Sequence, residues 1–244
     1  MKQLIAVFDL HYPHQDKVLW NNIMEYIKDT NPDIFAFGGD NLNMDAVDHW
    51  KMEKGQKRPL EGKRLLKEYQ GFMKDIQYPL VNVLPKHCRK IWHLGNHCDW
   101  VEKYIDKHPE VEGLLEIRNN LDLKDWEVYD YGQTSKVGKL YIDHGRYINQ
   151  YSAAKTVNVY GRNMIYGHGH TSQSYTRVAP IDIQPHEATQ VPCACRMNPD
   201  YMKNMPNAWV NGFATAFIQD NGLFNLYIIK SINGHFIAPN GKYY

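Results

Sequence analysis

The chain has 244 residues, 43% hydrophobic and 23% charged, with a formal net charge of +1. That composition excludes disordered, collagen-like and fibrous classes, and a chain this long buries roughly 70–75% of its unfolded surface without disulfide staples. A charge near zero gives no whole-protein argument for nucleic acid or a membrane, and no apolar run approaches the ~18 residues of a membrane span.

The apolar stretch 4–8 is too short for a secretory leader, and no small-residue cleavage site follows it. Four cysteines (Cys88, Cys98, Cys193, Cys195) do not make a disulfide framework. The expected location is the cytoplasm, with reduced thiols and no membrane contact. Histidine is abundant, with 12 residues, and it is the commonest metal ligand, so its placement matters.

Residues 2–8 read as a buried strand ending in Asp9. Residues 14–30 carry apolar groups at helical spacing (Val18, Leu19, Ile23, Tyr26, Ile27), stopped by Asn31-Pro32. Residues 33–37 form a second strand running into Gly38-Gly39-Asp40. Strand, helix, strand predicts a parallel βαβ unit. Residues 42–58 read as a long loop and 60–76 as a helix. The stretch 51–67 holds seven Lys or Arg against two Glu, either a solvated face or a phosphate-tracking flap.

A third strand at 89–94 runs into Gly95-Asn96-His97, followed by helix over 99–117 broken near Pro109. Shorter strands are predicted at 126–131, 139–144, 164–166 and 172–178, with a helix at 150–160. The tail predicts strands at 213–219, 224–229 and 235–238, with hairpin turns at Asn221-Gly222 and Asn233-Gly234. No repeat or linker divides the chain, so residues 1–244 are expected to form one α/β domain, parallel first and mixed or antiparallel after.

Chemistry-bearing residues gather directly after predicted strands: Asp9-Leu10-His11, Gly39-Asp40-Asn41, Gly95-Asn96-His97, Asp143-His144-Gly145 and Gly167-His168-Gly169-His170. Ligands of open α/β sheets bind beyond the carboxyl ends of strands. Carboxylate, amide oxygen and imidazole suit a pair of divalent ions, Zn²⁺, Mn²⁺, Fe or Mg²⁺, with manganese favoured for a mostly oxygen and imidazole set. Asp40 could bridge two ions ~3.5–4 Å apart. His93 reads as a core residue. Cys193-Ala194-Cys195 is too closely spaced for a Cys-x-x-Cys motif and reads as buried thiols. The aromatics Trp209, Phe213, Phe217, Phe224 and Tyr227 read as core or a subunit interface, with a base-stacking platform as the alternative.

The ordered set 9–11, 38–41, 95–97, 143–145 and 167–170 resembles the calcineurin-like metallophosphoesterases. The tail, with Cys193-Ala194-Cys195, Pro199-Asp200-Tyr201, Trp209 and Gly212-Phe213, looks like phage and prophage members of that superfamily. The resemblance implies a four-layer α/β/β/α sandwich of mixed sheets. It implies one ion on Asp9, His11, Asp40 and His170, and a second on Asp40, Asn96, His144 and His168. It assigns His97 to the phosphate and the leaving oxygen, with a metal-bound hydroxide attacking in line.

Asn41 and His14 are candidate substrate contacts. The expected substrate is a phosphate ester, above all a phosphodiester of nucleic acid or a nucleotide. The alternatives are a phosphomonoesterase or protein phosphatase, and a metal-binding scaffold without turnover. The sequence departs from the family at Cys98, where an acid often follows Gly-Asn-His, and at Asn43, where an Asp often orients the catalytic histidine. Asp45 and Asp99 are the candidates to supply that charge.

Overall fold

The computed structural model describes residues 1–48, 63–179, 181, 184–199, 202 and 205–244. Most of the expected loop 42–58 and of the basic stretch 51–67, together with Asp200 and Tyr201, lies outside them. In chain order the strands begin with β1 (Lys2–Val7), β2 (Ile34–Phe37), β3 (Arg89–His93), β4 (Glu127–Tyr129), β5 (Ser135–Val137) and β6 (Leu140–Asp143). They continue with β7 (Asn163–Tyr166), β8 (Gln173–Arg177), β9 (His186–Gln190), β10 (Gly212–Ile218) and β11 (Phe224–Lys230). One sheet has the order β11-β10-β1-β2-β3-β4 and the other β5-β6-β7-β9-β8. β1 to β4 run parallel, with β10 antiparallel to β1, and β6, β7 and β9 run parallel between antiparallel edges.

Alternation along the strands builds the layers. In β1, Leu4 and Ala6 face the inter-sheet core, while Ile5 and Val7 face the helix-side core. β2 repeats this, with Ile34 and Ala36 inward and Phe35 and Phe37 outward. From the second sheet, Leu140, Ile142 and Ile165 enter the inter-sheet core, while Met164 and Tyr166 face the helix on its far side. Both sheets are therefore covered on both faces, and the α/β/β/α sandwich expected from the sequence is the architecture observed. Burying each large aliphatic or aromatic side chain stabilises it by roughly 1.5–3 kcal/mol.

The helix Lys17–Thr30 starts later than its periodicity suggests. Gln15 bridges Cys195, and the Asp16 carboxylate caps the helix by accepting from Val18 N and Leu19 N. The helix expected over 60–76 is Leu65–Phe72, continued by a π-helical turn Met73–Gln77 and by Tyr78–Val83. The helix expected over 99–117 runs Asn96–Lys107 and then gives way to a 3-10 turn at Pro109–Val111. β5 and β9 are additions to the sequence reading. The strand expected at 235–238 is instead a pair of isolated bridges, Ile232 with His235 across the Asn233-Gly234 turn and Ile237 with Tyr243 beyond it. No helix among the described residues is long and apolar enough to cross a membrane.

Candidate metal centre

Parallel pairing of β1, β2 and β3, and of β6 and β7, sets their carboxyl ends side by side. Each strand then breaks sharply. Asp9, His11, Asp40, His168 and His170 all have positive φ, between 47° and 69°. These account for five of the eight non-glycine residues in that region among the described residues, so backbone strain concentrates on the predicted ligands. The loops are stitched together: Asp9 N donates to Gly39 O, His11 N to Asp40 O and Gly167 N to His144 O.

Asp40 is the hub. Its Oδ1 accepts from the His97 backbone N–H at 3.0 Å. Its Oδ2 lies 3.3 Å from His144 Nε2, 3.7 Å from His97 Nε2 and 4.0 Å from His11 Nε2. Asn96 Oδ1 is 2.9 Å from the same His144 Nε2. On the other side, His170 Nε2 lies 3.0 Å from His11 Nε2 and 3.5 Å from Asp9 Oδ1. Asp9 Oδ2 accepts from His168 N at 2.8 Å, while Asp9 Oδ1 is buried without a hydrogen-bond partner.

The donor atoms fall into groups within 4.8 Å of one another: Asp9, His11 and His170; His11, Asp40 and His97; Asp40, His144 and His168. All seven residues predicted to bind metal meet here, with His97 beside them. The donor set fits divalent cations. An orphaned carboxylate oxygen and facing imidazole nitrogens are what cation coordination would satisfy.

The histidine orientations are fixed from behind. His11 Nδ1 pairs with Asn43 Oδ1 at 3.1 Å and His144 Nδ1 with Gly38 O at 3.1 Å, leaving each Nε2 turned inward. His97 Nδ1–H donates to the Asn43 backbone carbonyl at 2.7 Å. The residue at position 43 thus orients His97 with its main chain, and its side chain serves His11. Asp45 turns to His14 and Lys63, and Asp99 pairs with Lys103. Cys98 packs into the helix-side core.

Glu68, unmarked in the sequence reading, braces this loop. Its Oε1 accepts from both Asn43 N and Met44 N, and burial pushes its carboxyl up to about 7. Trp100 stacks on the His97 ring at 3.7 Å, three residues on along the same helix face, a spacing that could have flagged it. Trp209 sets its edge against His170 at 4.3 Å, so this tail aromatic belongs to the site's wall rather than to the core. Asn41 is fully enclosed, with neither side-chain polar atom hydrogen-bonded. His14 is buried, lying between Asp45 and the Arg196 guanidinium. His93 is buried as expected, with Nε2 2.8 Å from Ser135 Oγ.

The charge balance follows from this crowding. Burial opposes charge on His144 and His170, yet Asp40 and Asp9 outweigh it and carry both up to about 9. Burial and His97 hold His11 well below its ordinary value, and burial with His144 holds His168 down at about 4. Burial alone would raise Asp40, but His97, His144 and His11 around it hold its carboxyl well below the usual range. Without metal, the site near neutral pH holds two protons where cations would go. Loading it near neutral pH should therefore release about two protons, declining toward none above about pH 9. Calorimetry in buffers of different ionisation enthalpy measures this, and no release near neutral pH would contradict the assignment of His144 and His170.

Gly95 makes the close approach possible. A Cβ there would lie 2.0 Å from Asp40 Oδ1 and 2.4 Å from its backbone nitrogen. Gly95→Ala should lower metal content while leaving the circular dichroism unchanged, because the displaced atoms belong to the site and not to the core. Full metal content in that variant would show that the loop can yield.

No family model and no curated relative matches the sequence. Solved structures resemble its chain course. Wild-type Vps29 complexed with Zn²⁺ from Entamoeba histolytica is 13% identical, with a TM-score of 0.44, over 99% of this chain and 97% of that one. Yfce, a phosphoesterase from E. coli, is 12% identical with a TM-score of 0.38, over 93% and 98%. A metallophosphoesterase from Sphaerobacter thermophilus is 12% identical with a TM-score of 0.41, over 88% and 82%.

Proposed function

We propose that the protein is a hydrolase of phosphate esters, dependent on a pair of divalent ions and directed chiefly to phosphodiesters of nucleic acid or nucleotides. The observation that carries this reading is that Asp40 is shared by two donor groups, one with His11 and His97 and one with His144 and His168, while His11 also joins Asp9 and His170. Asp9, His11, Asp40 and His170 would hold one ion, and Asp40, Asn96, His144 and His168 the other. Divalent ions supply such a site with charge against a phosphoryl oxygen and with acidification of water.

His97 does the proton work. Its Nδ1–H is committed to Asn43 O, so Nε2 carries the exchangeable proton, 3.7 Å from Asp40 Oδ2. The Trp100 stack keeps the ring from swinging away. A proton at Nε2 would pass to the departing ester oxygen. Lys63 and Arg196 pair with Asp45 and His14, which lie close along the chain to Asn43 and His11, and so add cationic groups there. Together with the basic stretch 51–67 they favour a polyanionic substrate.

The test uses metal-free protein with Mn²⁺ restored, comparing bis(p-nitrophenyl) phosphate with p-nitrophenyl phosphate. A diester preference is the expected result and directs the next assays to DNA, RNA and nucleotides. A monoester preference would put the phosphomonoesterase reading first. Bound metal with silence on both would favour the scaffold.

A further inference from the structure

The segment Cys193-Ala194-Cys195 lies beside the end of β1. Cys193 bridges Phe8 and Asn211, and Cys195 bridges Gln15. Ala194 N donates to Phe8 O and Ala194 O accepts from Asp16 N, both at 2.9 Å. The segment is therefore extended and pinned. Alternate residues of extended chain share a face. Ala194 joins the helix-side core, and the two cysteines turn the other way. There both sulfurs and a ring nitrogen of His170 lie within 4.8 Å of one another, all three residues buried. Neither thiol is in a disulfide.

A second observation points to a ligand. His170 Nδ1 is buried without a hydrogen-bond partner, whereas the Nδ1 atoms of His11, His97 and His144 are each engaged. A buried polar nitrogen left unpaired is costly, and a cation held by this residue would satisfy it. The Asn211 amide Nδ2 also approaches Cys193 Sγ at 3.8 Å, a donor suited to a thiolate.

We propose that His170, Cys193 and Cys195 form a site for a thiophilic divalent cation, with zinc the ion to test. Two thiolates and an imidazole are a soft donor set that manganese and magnesium do not favour. Tight sequence spacing argued against metal because it considered the two cysteines alone. The third donor comes from another strand end, held in place by Val210 N donating to His170 O. Binding takes both thiols as thiolates and His170 as a neutral imidazole, so the two thiol protons and the second ring proton of His170 go to solvent, with no change of oxidation state.

The test is zinc X-ray absorption on the reduced full-length protein. A sulfur shell at about 2.3 Å is expected, and a shell of nitrogen and oxygen alone overturns the proposal. With cobalt in place of zinc, a thiolate-to-metal charge-transfer band should appear in the near ultraviolet. It should vanish in C193S/C195S, and its persistence there would assign the sulfur to Cys88 or Cys98 and overturn the proposal. If the double variant does not fold, the wild-type zinc spectrum decides alone. The sulfur signal does not depend on turnover, so failure of ester hydrolysis and failure of this site are separately visible.

Discussion

Replacing Asp40 by asparagine should empty the centre of metal and reduce turnover by more than ~100-fold. Altering a residue that merely supports a metal ligand already costs ~10–100-fold. Asp40 is more central than that: one oxygen receives the His97 backbone N–H, and the other faces Nε2 atoms of three histidines. Asparagine keeps the shape and removes the charge. His144, raised to about 9 chiefly by Asp40 against the opposing effect of burial, would then lose its reason to attract a proton or a cation. Metal content after dialysis, measured beside the hydrolysis rate, is the readout. Two ions still bound at full stoichiometry would remove Asp40 from the bridging position. The circular dichroism should be preserved, because Asp40 lies outside the hydrophobic clusters that join sheet to helix and sheet to sheet.

The gathering of these residues was legible in the sequence because they end uninterrupted apolar runs. Asp9 follows the buried residues of β1, and Asp40 follows β2, so polarity at those points marks where a strand leaves the core. The supports behind the ligands were not legible. The Asn43 carbonyl that holds His97 is main chain, and a main-chain acceptor has no residue type to read. Glu68 stands 25 positions from Asn43 and is joined to it only by the fold. β9 was missed because His186–Gln190 is largely polar, although Ala188, Thr189 and Gln190 are buried. Its Gln190 Nε2 donates to Gly167 O, so a strand without a hydrophobic signature props the loop that carries His168 and His170. The segment 235–238 failed in the opposite sense. It has apolar residues, but the chain turns at Asn233 and Gly234, both at positive φ, and pairs only locally with its own end.

His97→Ala should separate chemistry from metal binding. The contact that ties residue 97 to Asp40 is made by its backbone nitrogen, which alanine retains, so the donor groups around Asp40 should still fill. The ring contributes Nε2, turned toward Asp40 because Nδ1 is held by the Asn43 carbonyl, and it is steadied by Trp100. Loss of a general acid costs ~10²–10⁴-fold. That cost should depend on the leaving group. An alkoxide departs poorly without a proton, so an alkyl or nucleoside ester should show the full loss. A p-nitrophenolate is weakly basic and departs unaided, so its ester should show a much smaller one. Rates for a series of diesters with leaving groups of rising basicity, in wild type and H97A at equal metal content, measure the difference. An equal loss across the series would mean that His97 binds the phosphate without transferring a proton. An unchanged rate throughout would take His97 out of the mechanism.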